Sequence, residues 1–230
     1  MLSLRNVSKS YFTKSAEVEA LIGLDLDIEE GAFVALVGRS GSGKSTLLHL
    51  LGLIDDVTHG SFEFCGVRVD GWPEPKRAAL RRHMSSLIFQ DTRLIDELDV
   101  QANVEVGIQY RGLSPAVRRS RVEEAMDLVG IGHRAARRVS TLSAGQQRRV
   151  EIARAIVSRP RILFADEPTG DLDARSAAQM LQILWQLNRD GTTIVMATHS
   201  AACAAIADEI VYLADGLRIE VDQPSAAVRA

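Results

Sequence analysis

Residues 38 to 45 read Gly38-Arg39-Ser40-Gly41-Ser42-Gly43-Lys44-Ser45, after an apolar run and before a helical one. Glycines at this spacing let backbone N–H groups approach phosphate oxygens, and the helix start adds positive potential. The pattern G-x-x-x-x-G-K-[ST] in that context describes a phosphate cradle, with Lys44 reaching the β- and γ-phosphates and Ser45 ligating magnesium. The bland alternative is a glycine-rich turn carrying a surface lysine, which the strand-then-helix setting disfavours.

A second group sits downstream. ILFADE, residues 162 to 167, is an apolar strand ending in two acids. A buried strand that releases carboxylates at its C-terminal end places them where α/β sheets bind ligands. Asp166 then suits the magnesium shell and Glu167 suits general-base activation of water. Alone, the stretch reads equally well as a strand exit with solvated acids; beside the glycine loop it reads as chemistry. His199 closes the next strand, TIVMATHS, and parallel neighbours end at one edge, so it can reach the γ-phosphate. On position alone a histidine there is more often just capped or solvated. Gln90, after SSLIF, is by default a surface glutamine.

LSAGQ, residues 142 to 146, is a third anion candidate. Ser143 and Gln146 fit a capping box, which makes the stretch first of all a well-built helix start. A capped N-terminus with Gly145 in its first turn is also an anion site. One chain would then own two phosphate-binding helix ends about 100 residues apart. One solution is a head-to-tail pair of chains, one giving the loop and the other LSAGQ.

The surrounding elements must position these groups. LSLRNVSKSYF and LDLDIEEG alternate as antiparallel strands do, AFVALVG is a buried strand, STLLHLLGL a helix, and SFEFCGVRV another half-buried strand. From about Asp91 to Ser140 the text is helical, with Ser114-Pro115 as a helix start and Val122, Ala125, Met126 and Val129 at helical spacing. Strands resume at RILFAD and TTIVMATHS around a helix near ARSAAQMLQILWQLNRD, which implies a parallel sheet. IVYLADGLRIEVDQ supplies short terminal strands. The expected division is an α/β core over 1–90 and 160–230, with an antiparallel β-subdomain, and a helical subdomain over about 91–159.

The 230 residues suffice for one large domain, and 46% hydrophobic with 25% charged residues is a globular balance. A net charge of −3 gives no global pull toward nucleic acid. Cys65 and Cys203 provide neither a disulfide framework nor a zinc set, and fit a reducing cytoplasm. The N-terminus has no basic-then-apolar signal, and no apolar run approaches the ~20 residues of a membrane helix. Action at a membrane would need another chain to span it.

GRSGSGKST, Gln90, LSAGQ, ILFADE, TGDLD and the histidine of ATHS, in this order, resemble the ATP-binding subunit of an ABC transporter over nearly the whole chain. The resemblance implies a P-loop NTPase core with a parallel sheet, an N-terminal antiparallel β-subdomain and an inserted α-helical subdomain, acting as an ATPase on Mg-ATP. Nucleotide contacts are implied for Gly38, Arg39, Ser40, Gly41, Ser42, Gly43, Lys44, Ser45, Thr46 and Gln146, and Tyr11 matches the aromatic that stacks on adenine. Gln90 matches the loop glutamine that senses magnesium, γ-phosphate and membrane partner, which adds it to Ser45 and Asp166 as a metal ligand. Ser143 and Gly145 would contact the γ-phosphate across the dimer. Asp173 matches the acid of the loop between protomers, and His199 the switch histidine. The implied partners are an integral membrane permease and a second ATP-binding subunit, as a homodimer, on the inner face of the cell membrane; nucleic acid is not expected.

KSTLLHLLGLID, DEPTGDLD and ATHS are most similar to the lipoprotein-release, macrolide-export and cell-division branch, whose subunits transmit shape change to four-helix membrane proteins. Ala144 departs from the usual first signature glycine, Asp171 from the branch's asparagine, and TRLIDELDVQANV from the usual text after the loop glutamine. Within the resemblance, the absence of a C-terminal regulatory domain argues against the sugar-importer branch. Other readings are a division-type regulatory subunit with weak hydrolysis, a P-loop kinase, which leaves LSAGQ unexplained, and a soluble DNA-repair or translation ATPase, whose coiled-coil insertion has no room here. The eight arginines between Arg134 and Arg161, against the single acid Glu151, could form a nucleic-acid patch, but a solvated, phosphate-facing surface explains them better.

Overall fold

The computed structural model describes residues 1–12, 16–170 and 172–220, so Asp171 and the end of the terminal-strand stretch, residues 221–223, lie outside the described residues. Alternation produces the first two strands. β1 (Leu2–Phe12) and β2 (Glu17–Ile28) pair antiparallel, with Leu2 opposite Ile28 and Leu4 opposite Leu26, all four buried. β3 (Phe33–Val37) leads through the glycine loop into α1 (Lys44–Leu51). The expected single strand SFEFCGVRV is instead a hairpin, β4 (His59–Phe64) and β5 (Val67–Arg68). Cys65 and Gly66 both take positive φ, 51° and 76°, which turns the chain between them. These strands form one antiparallel sheet in the order β2-β1-β4-β5.

α2 (Glu74–Met84) then delivers β6 (Ser85–Ile88). The stretch expected to turn helical at Asp91 begins as a loop. It is held by the fully buried Asn103, whose side-chain amide bonds both the N–H and the carbonyl of Ile95. Asp99 caps α3 (Val100–Val106), accepting from Ala102 N–H at 2.7 Å. α4 (Pro115–Leu128) starts at the Ser114-Pro115 pair and buries Val122, Ala125 and Met126, with Val129 buried just past its end. α5 (Ala144–Ile156), β7 (Ile162–Asp166), α6 (Ala174–Arg189), β8 (Thr193–Thr198), α7 (Ala201–Ala204), β9 (Glu209–Ala214) and β10 (Leu217–Ile219) complete the order.

The second sheet runs β10-β9-β3-β8-β7-β6. Its strands are parallel except β10, which folds back antiparallel on β9. β7 and β8 are buried along their whole lengths, because helices or strands cover both faces. On one face Val34, Leu36, Phe164 and Val195 pack with Leu47 and Leu50 of α1 and with Leu4 and Phe64 of the antiparallel sheet. On the other, Ala35, Leu163, Ala165 and Met196 pack with Val150 and Ala153 of α5, Val104 of α3, Met126 of α4 and Leu184 of α6. The helical layer is thus built on the same sheet that carries the glycine loop.

α3 and α5 approach so closely that a Cβ on Gly107 would lie 2.1 Å from the Arg154 carbonyl oxygen and 2.7 Å from Val157 Cγ1. Backbone cannot yield as a side-chain tip does. Gly107→Ala is therefore expected to destabilise the protein by about 1–3 kcal/mol in chemical denaturation. An unchanged midpoint would show that the two helices do not pack this closely.

Candidate functional site

The glycine loop is shaped by what lies behind it. A Cβ on Gly38 would sit 2.3 Å from the Leu213 carbonyl oxygen on β9, so no larger residue can leave β3 on this path. Gly43 precedes α1 at φ 100°, in the left-handed region that a residue with a Cβ rarely adopts, and its Cβ would also meet the Ala20 carbonyl at 2.6 Å. Among the described residues no side chain caps α1, so its first N–H groups are available to an anion. Lys44 is buried, and its ammonium donates to the carbonyls of Gly38 and Arg39, both at 2.9 Å. Both carbonyls belong to the loop that would cradle the phosphates.

The parallel pairing of β7 with β8 supplies the acids and the histidine. Asp166 stands opposite Ala197, and the next residue, Glu167, donates its N–H to the Ala197 carbonyl at 2.9 Å. Asp166 is buried, and burial pushes its carboxyl above the usual carboxylate range, against the pull of a hydrogen bond with the Ser45 hydroxyl. Its Oδ1 is buried with no hydrogen-bond partner among the described residues. An unpaired buried carboxylate oxygen beside a hydroxyl is a hard-oxygen donor set of the kind magnesium takes, so these residues fit that ion. Glu167 has φ 43°, a conformation strained for a residue with a Cβ, and its Oε1 lies 2.9 Å from His199 Nδ1. The His199 ring is exposed.

One open cleft of about 660 Å³ gathers Arg39, Ser40, Gly41, Gly43, Lys44, Ser45, Thr46, Gln90, Glu167 and His199, with Ala20 and Gly170. Gly38, Ser42 and Asp166 do not line it, and Ser42 and Asp166 are buried. Tyr11, Ser143, Gly145, Gln146 and Asp173 do not line it, although Tyr11 shares a side-chain hydrogen bond with Thr46, which does. Tyr11 is the last residue but one of β1, with its hydroxyl on Asp55 at 2.9 Å and Lys9 over its ring at 4.9 Å. Burial, then the Asp55 hydrogen bond, pushes that phenol up to about 12. Ser143 and Gln146 form the expected capping box at the start of α5, with Gln146 Oε1 accepting from Ser143 N–H at 3.2 Å. Ser143 and Ala144 are exposed. Gly145 has a neighbour in its own chain, since a Cβ there would lie 3.2 Å from Ser176 Oγ of α6. Asp173 caps α6, accepting from Arg175 and Ser176 N–H and from the Ser176 hydroxyl, which holds its carboxyl below the usual range.

Sequence reasoning missed Arg148 and Glu151, a buried pair at 2.6 Å whose only sequence signal was opposite charges three residues apart on a helix. It also missed the Lys9–Asp55 pair beneath Tyr11. Five of the eight arginines between Arg134 and Arg161 are engaged within the chain: Arg148 on four carbonyls, Arg149 on Val129 and Gln179, Arg154 on Arg93, Arg159 on Glu124 and Arg161 on Glu30. The run is mostly a set of internal ties.

A family model described as ABC transporter matches residues 21–170. A macrolide export ATP-binding/permease protein, MacB, of Chlorobium luteolum is 43% identical over 94% of this chain, which spans only 32% of that protein, about a third. An uncharacterized ABC transporter ATP-binding protein of Methanocaldococcus jannaschii is 42% identical over 96% of this chain and 99% of its own. Among solved structures, a dimeric post-hydrolysis ATP-binding cassette bound to ADP and Pi superposes with TM-score 0.89 at 36% identity, covering 96% of this chain and 97% of that one.

Two outcomes follow from the electrostatics. Lys44→Ala removes the cleft's buried ammonium and is expected to abolish most ATP affinity in a binding titration; unchanged affinity would count against the loop. Asp166 has a folded-state pKa above its unfolded value, so its ionisation costs stability. That cost is absent below about pH 3.9 and complete above the folded pKa. Without nucleotide or magnesium at pH 7, Asp166→Asn is therefore expected to raise the unfolding midpoint, with the gain vanishing on acidification, while ATP turnover is lost. A midpoint lowered at pH 7 would contradict the burial argument.

Proposed function

The chain belongs to the ABC transporter family and is an ATP-binding ATPase of that family; from that premise we propose that two copies close head to tail around two Mg-ATP and drive a separate membrane permease. The observation that carries this reading is a division of labour within one chain. Lys44, Ser45, Gln90, Glu167 and His199 line one cleft, whereas the capped, exposed N-terminus of α5, with Ser143 and Gly145, lies outside it. A second chain can bring that helix end to the γ-phosphate.

In this reading Lys44 exchanges the carbonyls of Gly38 and Arg39 for β- and γ-phosphate oxygens. Ser45, Asp166 and Gln90 would hold magnesium, which neutralises charge across those phosphates. Glu167 accepts the proton of the attacking water, and His199 fixes its carboxylate through Nδ1. The Tyr11 ring takes the adenine, anchored by Asp55 and backed by Lys9. Its phenol stays protonated at physiological pH, so the hydrogen bond to Asp55 persists. Asp173 lies beside Gly145 through Ser176, where a partner's approach to one would be felt by the other.

A groove of about 330 Å³ lined by Ile54, Arg82, Leu87, Arg111 and Phe89, the residue before the loop glutamine, supports a permease contact, and Ile95 is exposed nearby in sequence on the loop after Gln90. No helix among the described residues is long and apolar enough to cross a membrane. The MacB relatives are named as ATP-binding/permease proteins, which favours a permease partner, with this chain on the inner face of the membrane and export or mechanical work as its output.

Replacing a general base costs about 10²–10⁴-fold in rate. Glu167→Gln is nearly isosteric, so it is expected to lose turnover, keep ATP, and elute as a dimer from a sizing column with ATP and magnesium but not with ADP. Adding Ser143→Arg should return it to monomer. Parent-rate hydrolysis by Glu167→Gln would refute the base; an inactive monomer with ATP, even with the permease present, would refute the sandwich. Ala144 stands in the first turn with its methyl exposed, so Ala144→Gly is expected to hold ATPase activity within a few-fold.

A further inference from the structure

We propose that Arg148 is a positioning residue for hydrolysis: it ties the backbones of Glu167 and Gln90 to the helix that begins at Ser143, so that the carboxylate, the loop glutamine and that helix move as one unit. This rests on Glu167 being the base. Arg148 lies on α5, about a turn and a half beyond the Ser143 cap, and is buried. Its Nε donates to the Pro168 carbonyl at 3.0 Å. Its Nη2 donates to the carbonyls of Glu167 at 3.0 Å and Gln90 at 3.2 Å. Its Nη1 donates to the Phe89 carbonyl at 2.5 Å and to Glu151 Oε2 at 2.6 Å. All five N–H groups of the guanidinium are therefore used, four of them on the two segments that carry cleft residues.

Those segments come from different strands, Phe89 and Gln90 after β6, Glu167 and Pro168 after β7. The strands themselves end before either residue, so the sheet does not fix where the two carbonyls point. Glu167 in particular holds φ 43°, which persists only when its surroundings over-determine it. Ala197 takes its N–H, while Gly170 N–H and Arg148 take its carbonyl. Glu151, almost wholly buried, neutralises the arginine in place. Neither side chain lines the cleft, so the pair acts through the groups it holds. A lysine offers three donors from one point and cannot span four carbonyls.

The test is single-turnover ATP hydrolysis by the full chain as parent, Arg148→Lys, Glu167→Gln and the double variant, with Mg-ATP affinity measured on each. Arg148→Lys is expected to slow hydrolysis about 10- to 100-fold, as misplacement of a reacting group does, while ATP affinity stays within about two-fold, because no phosphate contact is touched. In the Glu167→Gln background the same change is expected to cost clearly less than in the parent, since most of its effect runs through that carboxylate. Arg148→Met with Glu151→Leu removes both charges together, so neither is left buried alone, and a folded double variant should show the same loss of rate. Parent-rate hydrolysis by Arg148→Lys or by folded Arg148→Met/Glu151→Leu overturns the proposal. So does an equal slowing on top of Glu167→Gln, which would mean a route independent of the base. Parent-rate hydrolysis by Glu167→Gln itself overturns the base assignment, and the positioning role with it.

Discussion

The side-by-side pairing of β7 and β8 is the constraint on which the rest of the site depends. It sets Asp166 opposite Ala197, gives Glu167 a backbone bond to that same residue, and lets His199 meet the Glu167 carboxylate at 2.9 Å. Only a parallel pair ends both strands at one edge. Because both are buried throughout, a slip in register would place polar ends in the core and apolar residues in the cleft. β3 lies on the other side of β8 and brings the glycine loop to the same edge. Three adjacent strands thus deliver the ammonium, both carboxylates and the imidazole without any long connection reaching across.

The site is built at a cost to stability. Asp166 is buried against its own ionisation, and Glu167 is held in a strained backbone conformation that typically costs about 1–3 kcal/mol. Both are tolerated because neighbours over-determine them: Ser45 on one, Ala197, Gly170 and Arg148 on the other. Such strain is characteristic of functional positions, where stability is given up for a preset geometry. The buried Arg148–Glu151 pair fits the same logic. Replaced by apolar residues, a buried pair is often no loss to stability, so its five directed hydrogen bonds are better explained by what they hold than by what they stabilise.

Much of this was legible in the sequence, and the failures have physical causes. The buried strands at 33–37, 162–166 and 193–198 announce themselves as apolar runs, and Ser114-Pro115 announces a helix. SFEFCGVRV looked like one strand because Cys65 gives no hint of a left-handed turn; only the following glycine does. β6 is four residues long, too short for periodicity to distinguish, and α2 fully buries no residue, with only Leu80 and Met84 packed against the core among its charges. LSAGQ was readable as a capping box, and the structure forms it. What spacing could not show is where Arg148 points, because a side chain that bonds carbonyls leaves no partner residue type to recognise.

The central claim is that the loop of one chain and the α5 N-terminus of another share one nucleotide. A direct measurement uses two populations of the full chain with Cys65 and Cys203 replaced, one carrying Ser40→Cys and the other Ser143→Cys, joined by a short bifunctional thiol cross-linker. The account predicts a covalent dimer between the two populations that forms with ATP and magnesium and not with ADP. Cross-linking only within each population, or equally well without nucleotide, would contradict it.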